Sequence, residues 1–360
     1  MDIRSPVLPH KGRGALGNIM SRFDREDRFA IDDGWGSSDD DGEARLPTTV
    51  TADTTRSLIT RNTSPDLPFD RSINPYRGCE HGCIYCFARP SHGYLGLSPG
   101  LDFETRLFYK PDAAAILERE LHAPGYRVGP LALGTGTDPY QPVERDLTLT
   151  RQLLTVLSAF NHPVGIATKS NLVLRDLDII APMAARGLAQ VYLSVTTLDR
   201  SLARTMEPRA PTPERRLEAI RRLSAAGVPV AVLAAPMIPG LNDHELEQIL
   251  DAAKQAGATG AGYILLRLPF ELKSLFEDWL RQHYPSRADR VLTLLRGSRD
   301  GRLYRSGFGD RMIGTGAYAE VLAQRFRLGA KRLGLGGRFM GFAAEQFRPP
   351  PRPGEQLALF

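Results

Sequence analysis

The chain has 360 residues, 42% of them hydrophobic and 24% charged, which suffices for one large α/β domain or two average ones and excludes a disordered chain. Its 34 glycines and 27 prolines exclude a coiled coil and demand many turns, and three cysteines are too few for a disulfide scaffold. The formal charge of +5 is uneven: residues 1–46 hold 7 Lys/Arg against 10 Asp/Glu, whereas residues 281–360 hold 15 against 6. The basic surplus of that last segment suits a solvated surface or a polyanionic partner.

Residues 1–60 have little to bury, with Asp39, Asp40 and Asp41 set among Gly and Ser, and read as a flexible arm. Within it, Lys11-Gly-Arg-Gly-Ala15 is a short basic patch able to dock on a partner, although a free tail would look the same. The first 30 residues lack the apolar core of a signal peptide, and the longest apolar stretch, 228–241, is broken by Pro229, Pro236 and Pro239. A cytoplasmic protein is expected.

From residue 65 to 284 apolar runs alternate with amphipathic ones. Strands are predicted at 68–75, 130–135, 163–168, 189–196, 228–235 and 260–268, and helices at 112–122, 148–160, 173–186, 213–226, 243–256 and 271–283. Thr212, Pro213 and Glu214 start one helix and Gly227 ends it, while Asn242 and Gly257 frame the next. Six β-then-α units require parallel strands with right-handed crossovers, as an open sheet or a barrel. A basic helical extension is expected over 285–345 and a disordered tail over 346–360.

In such folds ligands collect at the carboxyl ends of the strands, here 134–140, 167–171, 194–197, 234–239 and 266–269. Cys79, Cys83 and Cys86 are all the cysteines there are, packed into eight residues, which chance gives on the order of one time in a thousand. An odd number of thiols argues against a structural disulfide and leaves metal ligation. Zinc would need a fourth ligand, from His81 or His92, whereas an iron-sulfur cluster on three thiolates keeps one iron open.

The C-x-x-x-C-x-x-C spacing, with Tyr85 before the last cysteine and the loop following the first strand, resembles the signature of the radical SAM superfamily. The run Asn74-Pro-Tyr-Arg-Gly-Cys79-Glu-His-Gly-Cys83-Ile-Tyr-Cys86 resembles its spore photoproduct lyase-like branch. The Lys11 to Ala15 segment, Thr137 to Glu144 and Pro236 to Asp243 resemble uncharacterised bacterial relatives of that branch. The resemblance implies a partial (β/α)6 TIM-like barrel over 65–284, binding a 4Fe-4S cluster on Cys79, Cys83 and Cys86 together with S-adenosyl-L-methionine.

It also implies the chemistry: reductive cleavage of S-adenosylmethionine to a 5'-deoxyadenosyl radical that takes hydrogen from a substrate. An external one-electron donor of flavodoxin or ferredoxin type is implied as partner. By position in the family pattern, Tyr85, Thr137, Asp138, Lys169, Ser194, Arg209 and Ala234 are expected at the cofactor: Thr137 and Asp138 at the methionine ammonium, Lys169 or Arg209 at its carboxylate, Ser194 at ribose or methionine, Ala234 near adenine. The structural alternatives are a cap for Asp138, backbone bonding for Ser194 and an Arg209 that holds Glu207.

A photoproduct lyase is expected to use a fourth cysteine as hydrogen donor, and this chain has none. Either a tyrosine substitutes or the reaction differs, and the resemblance implies the superfamily chemistry without implying photoproduct repair. Nucleic acid is a candidate because Tyr304, Phe308 and Phe326 are interleaved with arginines, although arginines clamping carboxylates would give the same pattern. The competing class is a zinc- or iron-sulfur-binding nucleic-acid interaction module or redox sensor without cofactor cleavage.

Overall fold

A computed structural model describes residues 9–24, 46–336 and 341–351. Six strands form its frame: β1 Arg71–Ile73, β2 Leu131–Leu133, β3 Val164–Thr168, β4 Ala189–Ser194, β5 Val230–Met237 and β6 Gly260–Leu265. They lie in the order β1 to β6, every neighbouring pair parallel, with pairings such as Leu133 to Ile166, Ile166 to Val191 and Leu193 to Val232. Thr60–Arg61 adds an antiparallel rung outside β1. Among the described residues this rung and β6 do not pair, so the curved sheet is a partial (β/α)6 barrel.

Six helices follow the strands: α1 Ala113–Leu121, α2 Leu149–Ala159, α3 Leu177–Ala185, α4 Pro213–Ala225, α5 Leu246–Gln255 and α6 Leu272–His283. Alternate strand residues face them. Val191, Leu193, Val195, Val230, Val232 and Ala234 are buried in the same apolar layer as Leu153, Leu157, Ile220, Leu223, Ile249 and Leu250. The intervening positions Gly165, Tyr192, Ser194, Leu233 and Ala235 therefore face the barrel interior, as period-two alternation requires.

The turn chemistry differs from expectation at one helix. Gly227, with φ +77°, ends α4 as predicted. Asn242, however, does not cap α5, which starts after a 3-10 turn. Its amide instead ties the end of β5, accepting from Ile238 N at 2.6 Å and donating to Thr196 O at 2.8 Å and Pro236 O at 3.0 Å. The Pro236 to Asp243 motif is therefore a stiff exit from β5.

The expected flexible arm is anchored wherever it is described. Arg13 is buried, and Gly14 N and Ala15 N each donate to the Glu104 carboxylate at 2.9 Å. Ala15 joins a second apolar cluster with Cys83, Ile84, Tyr85, Leu266, Phe276 and Trp279, above the carboxyl ends of the strands. Composition misled because the arm docks largely through main-chain amides and through Arg13 and Arg22, which pairs with Glu271 at 2.9 Å, and these require little apolar surface. Residues 1–8 and 25–45 lie outside the described residues.

Beyond α6 come α7 Pro285–Gly297 and α8 Gly316–Arg332. Several arginines of this basic stretch are committed to the fold: Arg325 pairs with Glu247 at 2.6 Å, Arg332 with Asp251 at 3.1 Å and Arg311 with Asp66. Phe326 packs on Tyr263 with ring centroids 4.8 Å apart. Of the aromatic-basic pattern, Arg302, Phe308 and Arg327 remain at the surface. Among the described residues no helix is long and apolar enough to cross a membrane.

The expected tail is a strap as far as residue 351, and the remainder lies outside the described residues. Ala343 N donates to Gly187 O at 3.1 Å and Arg348 N to Phe160 O at 3.0 Å. Phe347 packs against Tyr126, Phe160 and His162. These turns precede β2, β3 and β4, so the strap crosses the amino end of the barrel. Phe342 comes within 3.7 Å of where a side chain on Gly165 would begin.

Beneath the strap His162 is fully buried, with Nδ1 at 3.0 Å from Pro163 O and Nε2 at 2.8 Å from the Tyr126 hydroxyl. A carbonyl only accepts, so Nδ1 carries the proton and the ring is neutral. Burial pushes its pKa down to about 4. The unfolded chain protonates near 6.5, so stability present above that pH is lost as pH falls towards 4, by about 3 kcal/mol. Denaturant titrations at pH 7, 5.5 and 4 should show this decline in the parent and a shallower one in His162→Asn; equal slopes would contradict it.

Candidate active site

The cysteine loop lies between Tyr76–Arg77, which pairs antiparallel with Arg106–Tyr109, and a 3-10 turn starting at Arg89. Two glycines allow its path. Gly78 and Gly82 have φ of +78° and +66°, and a Cβ on Gly82 would lie 2.7 Å from a Glu104 carboxylate oxygen. Arg89, fully buried, donates from Nε to Cys83 O at 2.8 Å, from Nη2 to Gly82 O at 3.0 Å and from Nη1 to Gly100 O at 2.9 Å and Pro99 O at 3.2 Å, and pairs with Glu104. On the other side Gln141 accepts from Glu80 N at 2.9 Å and donates to Gly78 O at 3.2 Å. The loop is gripped by its main chain, which leaves the sulfurs uncommitted.

All three cysteines are free, Cys79 and Cys83 buried and Cys86 half-buried. Burial pushes the Cys79 and Cys83 thiols up, Cys83 to about 12, and each feels its neighbours. Neither candidate for a fourth zinc ligand turns towards them. His92 Nε2 is 3.0 Å from Arg106 O, with its ring against Phe103, and His81 directs Nδ1 at the Asp138 carboxylate, 3.4 Å away. Among the described residues, no three His, Cys, Asp or Glu side chains are close enough to share one metal ion. Three thiolates that each bind a different iron of a cluster need a wider spread, so this donor set fits a cluster with one open iron.

Beside Cys83 is a buried ionic network. Glu207 pairs with Arg216 and accepts from the Tyr85 hydroxyl, and from Thr196 Oγ1 at 2.8 Å. Arg216 also donates to Ser194 O at 3.3 Å and Pro211 O at 2.8 Å. Burial disfavours the Glu207 charge, but Arg216 and Lys169 outweigh it and hold the carboxyl down at about 2. Lys169 Nζ is 5.9 Å from the Tyr85 ring centroid. Burial opposes the lysine's charge, yet Cys83, Glu207 and Asp138 together hold it protonated.

Of the residues expected at the cofactor, Tyr85, Asp138 and Lys169 come together with Cys79 and Cys83 at the carboxyl mouth, and Ser194 joins through its carbonyl. Asp138 has its oxygens engaged, accepting from Thr168 Oγ1 at 2.7 Å, Tyr140 N at 2.9 Å and Lys169 N at 2.9 Å. Thr137 Oγ1 donates to Tyr76 O at 3.1 Å. Two expectations need correction. Arg209 turns away from the barrel to Glu80, at 2.8 Å, and it is Arg216 that holds Glu207. Ala234 is buried in the helix-facing layer, so Leu233 and Ala235 present this strand's side chains to the interior.

Arg216 and Thr196 were missed in the sequence. Thr196 was legible, two residues beyond Ser194 and hence on the same face, whereas nothing separates Arg216 from Arg215 until α4 is placed.

Gly14 rests directly on the cysteine loop, where a Cβ would lie 1.8 Å from Gly82 O. Gly14→Ala should therefore expel the arm. Trypsin should then cut after Lys11 or Arg13 at least tenfold faster than in the parent, and anaerobic iron uptake should fall. Unchanged protection of both bonds would show that the arm does not depend on this approach.

The sequence model of the radical SAM superfamily matches residues 73–253. An uncharacterized protein of Mycobacterium tuberculosis (strain H37Rv) is 40% identical over 232 residues, 64% of this chain and 68% of the other. An uncharacterized protein of Methanocaldococcus jannaschii is 28% identical over 213 residues, 59% of this chain and 76% of its own. Among solved structures, a point mutant of spore photoproduct lyase is similar with a TM-score of 0.56 at 18% identity, covering 80% of this chain and 79% of that one. The same lyase complexed with dinucleoside spore photoproduct gives 0.55 at 17% identity, with 79% of each chain covered. With its three-thiol loop at the carboxyl mouth of a partial barrel, the chain belongs to the radical SAM superfamily and is an enzyme of that class.

Proposed function

We propose that Cys79, Cys83 and Cys86 hold a 4Fe-4S cluster and that S-adenosylmethionine binds beside it, over Tyr85 and Lys169, facing the barrel interior. The observation that carries this reading is the set of three free thiols without a fourth protein ligand, next to a lysine kept charged inside the mouth. When bound, the pair supplies reductive C-S cleavage and hydrogen-atom abstraction from a substrate. The protein supplies position and dryness.

Lys169 offers its ammonium to the methionine carboxylate. Ser194 lies on the inward face of β4 and would meet the ribose or methionine of a bound cofactor. Leu233 and Ala235 give a low apolar wall for adenine. Glu207 is engaged by Arg216, Tyr85 and Thr196, so its part is to fix Tyr85 and to balance Lys169. The cluster of Ile84, Leu266, Phe276 and Trp279 excludes water from above. This sequence has no fourth cysteine to serve as the hydrogen donor expected of a photoproduct lyase, which favours a different substrate reaction over a substituting tyrosine.

Anaerobically reconstituted protein should contain about four irons and four sulfides per chain, and Cys79→Ala, Cys83→Ala or Cys86→Ala should lose them. Once reduced it should release 5'-deoxyadenosine slowly without substrate. Lys169→Met should weaken cofactor binding by about 1 to 3 kcal/mol, the scale of a charge-assisted hydrogen bond. Arg209→Ala, whose guanidinium faces Glu80, should leave binding unchanged. Stoichiometric zinc without iron, or no effect at Lys169, would sink the reading.

The electron is delivered from the loop's outer side. There a concavity of about 550 Å³ is lined by Lys11, Arg13, Thr48, Glu80 and Arg209, directly behind Cys79. Basic side chains on this face suit an acidic carrier of flavodoxin or ferredoxin type. Lys11→Glu should slow 5'-deoxyadenosine formation severalfold with reduced flavodoxin at low salt but not with dithionite. Equal slowing with both reductants would refute a docking role.

A further inference from the structure

We infer that Arg267, at the carboxyl end of β6, is a specificity-determining residue that binds a carboxylate or phosphate group carried by the substrate. The inference rests on the reading that substrate enters this mouth, and it names the chemistry of what enters.

Arg267 stands beside the cysteine loop. Its guanidinium lies 5.1 Å from the ring centroid of Phe87, the residue after Cys86, and Phe87 is 48% exposed. The aromatic face fixes the plane of the fork. Its Nε is buried without a hydrogen-bond partner, and Nη1 meets only the Met312 sulfur, at 3.4 Å, a weak acceptor. Among the described residues no carboxylate is within ion-pair distance of it. Asp66, which feels its charge, is already held by Arg311 and by Gly309 N at 2.6 Å.

Immediately behind is a second uncompensated cation. Arg299 is 1% exposed and donates to main-chain carbonyls alone: Leu266 O at 2.7 Å, Arg311 O at 3.2 Å, and Leu265 O and Asp310 O at 3.4 Å. Burial and then the charge of Arg267 push its pKa down to about 10. Of the other buried arginines, Arg71, Arg89 and Arg216 each pair with a carboxylate, whereas Arg13 donates to Glu104 O, Leu46 O and Thr48 Oγ1. Two adjacent like charges at a strand end, each with a buried Nε unfilled, destabilise the empty protein, and a bound oxyanion removes that cost. A guanidinium fork matches a carboxylate or phosphate in plane and spacing.

The alternative is that Arg267 only props Phe87. Thermal melting of the full-length, cofactor-free protein separates the two, with inorganic phosphate titrated against chloride at constant ionic strength. Phosphate should raise the melting temperature of the parent. In Arg267→Gln the concentration needed should increase about tenfold, in Arg267→Lys by less because charge survives without the fork, and in Arg302→Gln, an exposed control, not at all. In chloride alone Arg267→Gln should melt at or above the parent, since one of two repelling charges has gone. A parent that ignores phosphate, a phosphate response unaltered in Arg267→Gln, or a lower melting temperature of that variant in chloride would overturn the inference.

Acetate in place of phosphate tells which group is taken: a response to acetate assigns a carboxylate, and one to phosphate alone assigns a phosphate. S-adenosylmethionine binding should be unaffected in Arg267→Gln, and an equal tenfold loss there would transfer the arginine to the cofactor and overturn its substrate role. The melting result uses no cluster, so a failure of cluster assembly would count against the proposed function while this test stands.

Discussion

The fully buried Arg89–Glu104 pair is the constraint on which the site depends. Removing two charges from water costs several kcal/mol each unless their hydrogen bonds are filled, and here they are. All five guanidinium N–H groups find oxygens, four of them carbonyls of the cysteine loop and of the turn at Pro99 and Gly100, the fifth on Glu104. Glu104 uses its remaining capacity on Gly14 N and Ala15 N. One ion pair thus joins three segments: the arm, the cysteine loop and the turn that follows it. Because it holds carbonyls, it orders the loop without consuming a thiol.

The two ends of the barrel are built differently for a physical reason. At the amino end the strap covers the turns with main-chain hydrogen bonds and the Phe347 ring, and Phe342 reaches the interior. That end is plugged with aromatic rings and a neutral histidine. At the carboxyl end the strand-end carbonyls and side chains point outward from the sheet, and polar groups accumulate: Asp138, Lys169, Glu207, Arg216, Arg267 and Arg299. Among the described residues the strap covers the amino end, and the polar groups gather at the other.

The pairing of charges within that mouth separates structure from function. Glu207 is matched by Arg216, Glu144 and Asp176 by Arg175, and Asp138 by His81, hydroxyl and main-chain donors. Such pairs give Glu144 of the Thr137 to Glu144 motif a structural part: it accepts from Tyr76 and from Thr150 N, and anchors the strand end. Lys169 and Arg267 differ. Each is a cation held near the cysteine loop with no carboxylate of its own at ion-pair distance among the described residues, and a bound anion would complete it.

The sequence by itself determined the strand and helix order, because hydrophobic period and Gly/Pro punctuation are local properties, and the observed helices begin and end within a few residues of their predicted bounds. It also determined the thiol loop, since three cysteines in eight residues admit few uses. Only the tertiary structure decided the rest. That Ala234 faces helices while Ala235 faces the interior depends on strand phase, which one residue reverses. That Arg209 meets Glu80 whereas Arg216 meets Glu207 depends on how the segment after Met206 turns into α4. The arm and the strap were misjudged because main-chain amides, which every residue but proline carries, do their anchoring, and composition cannot register a hydrogen bond whose partner, like Glu104 for Gly14, is 90 residues away along the chain.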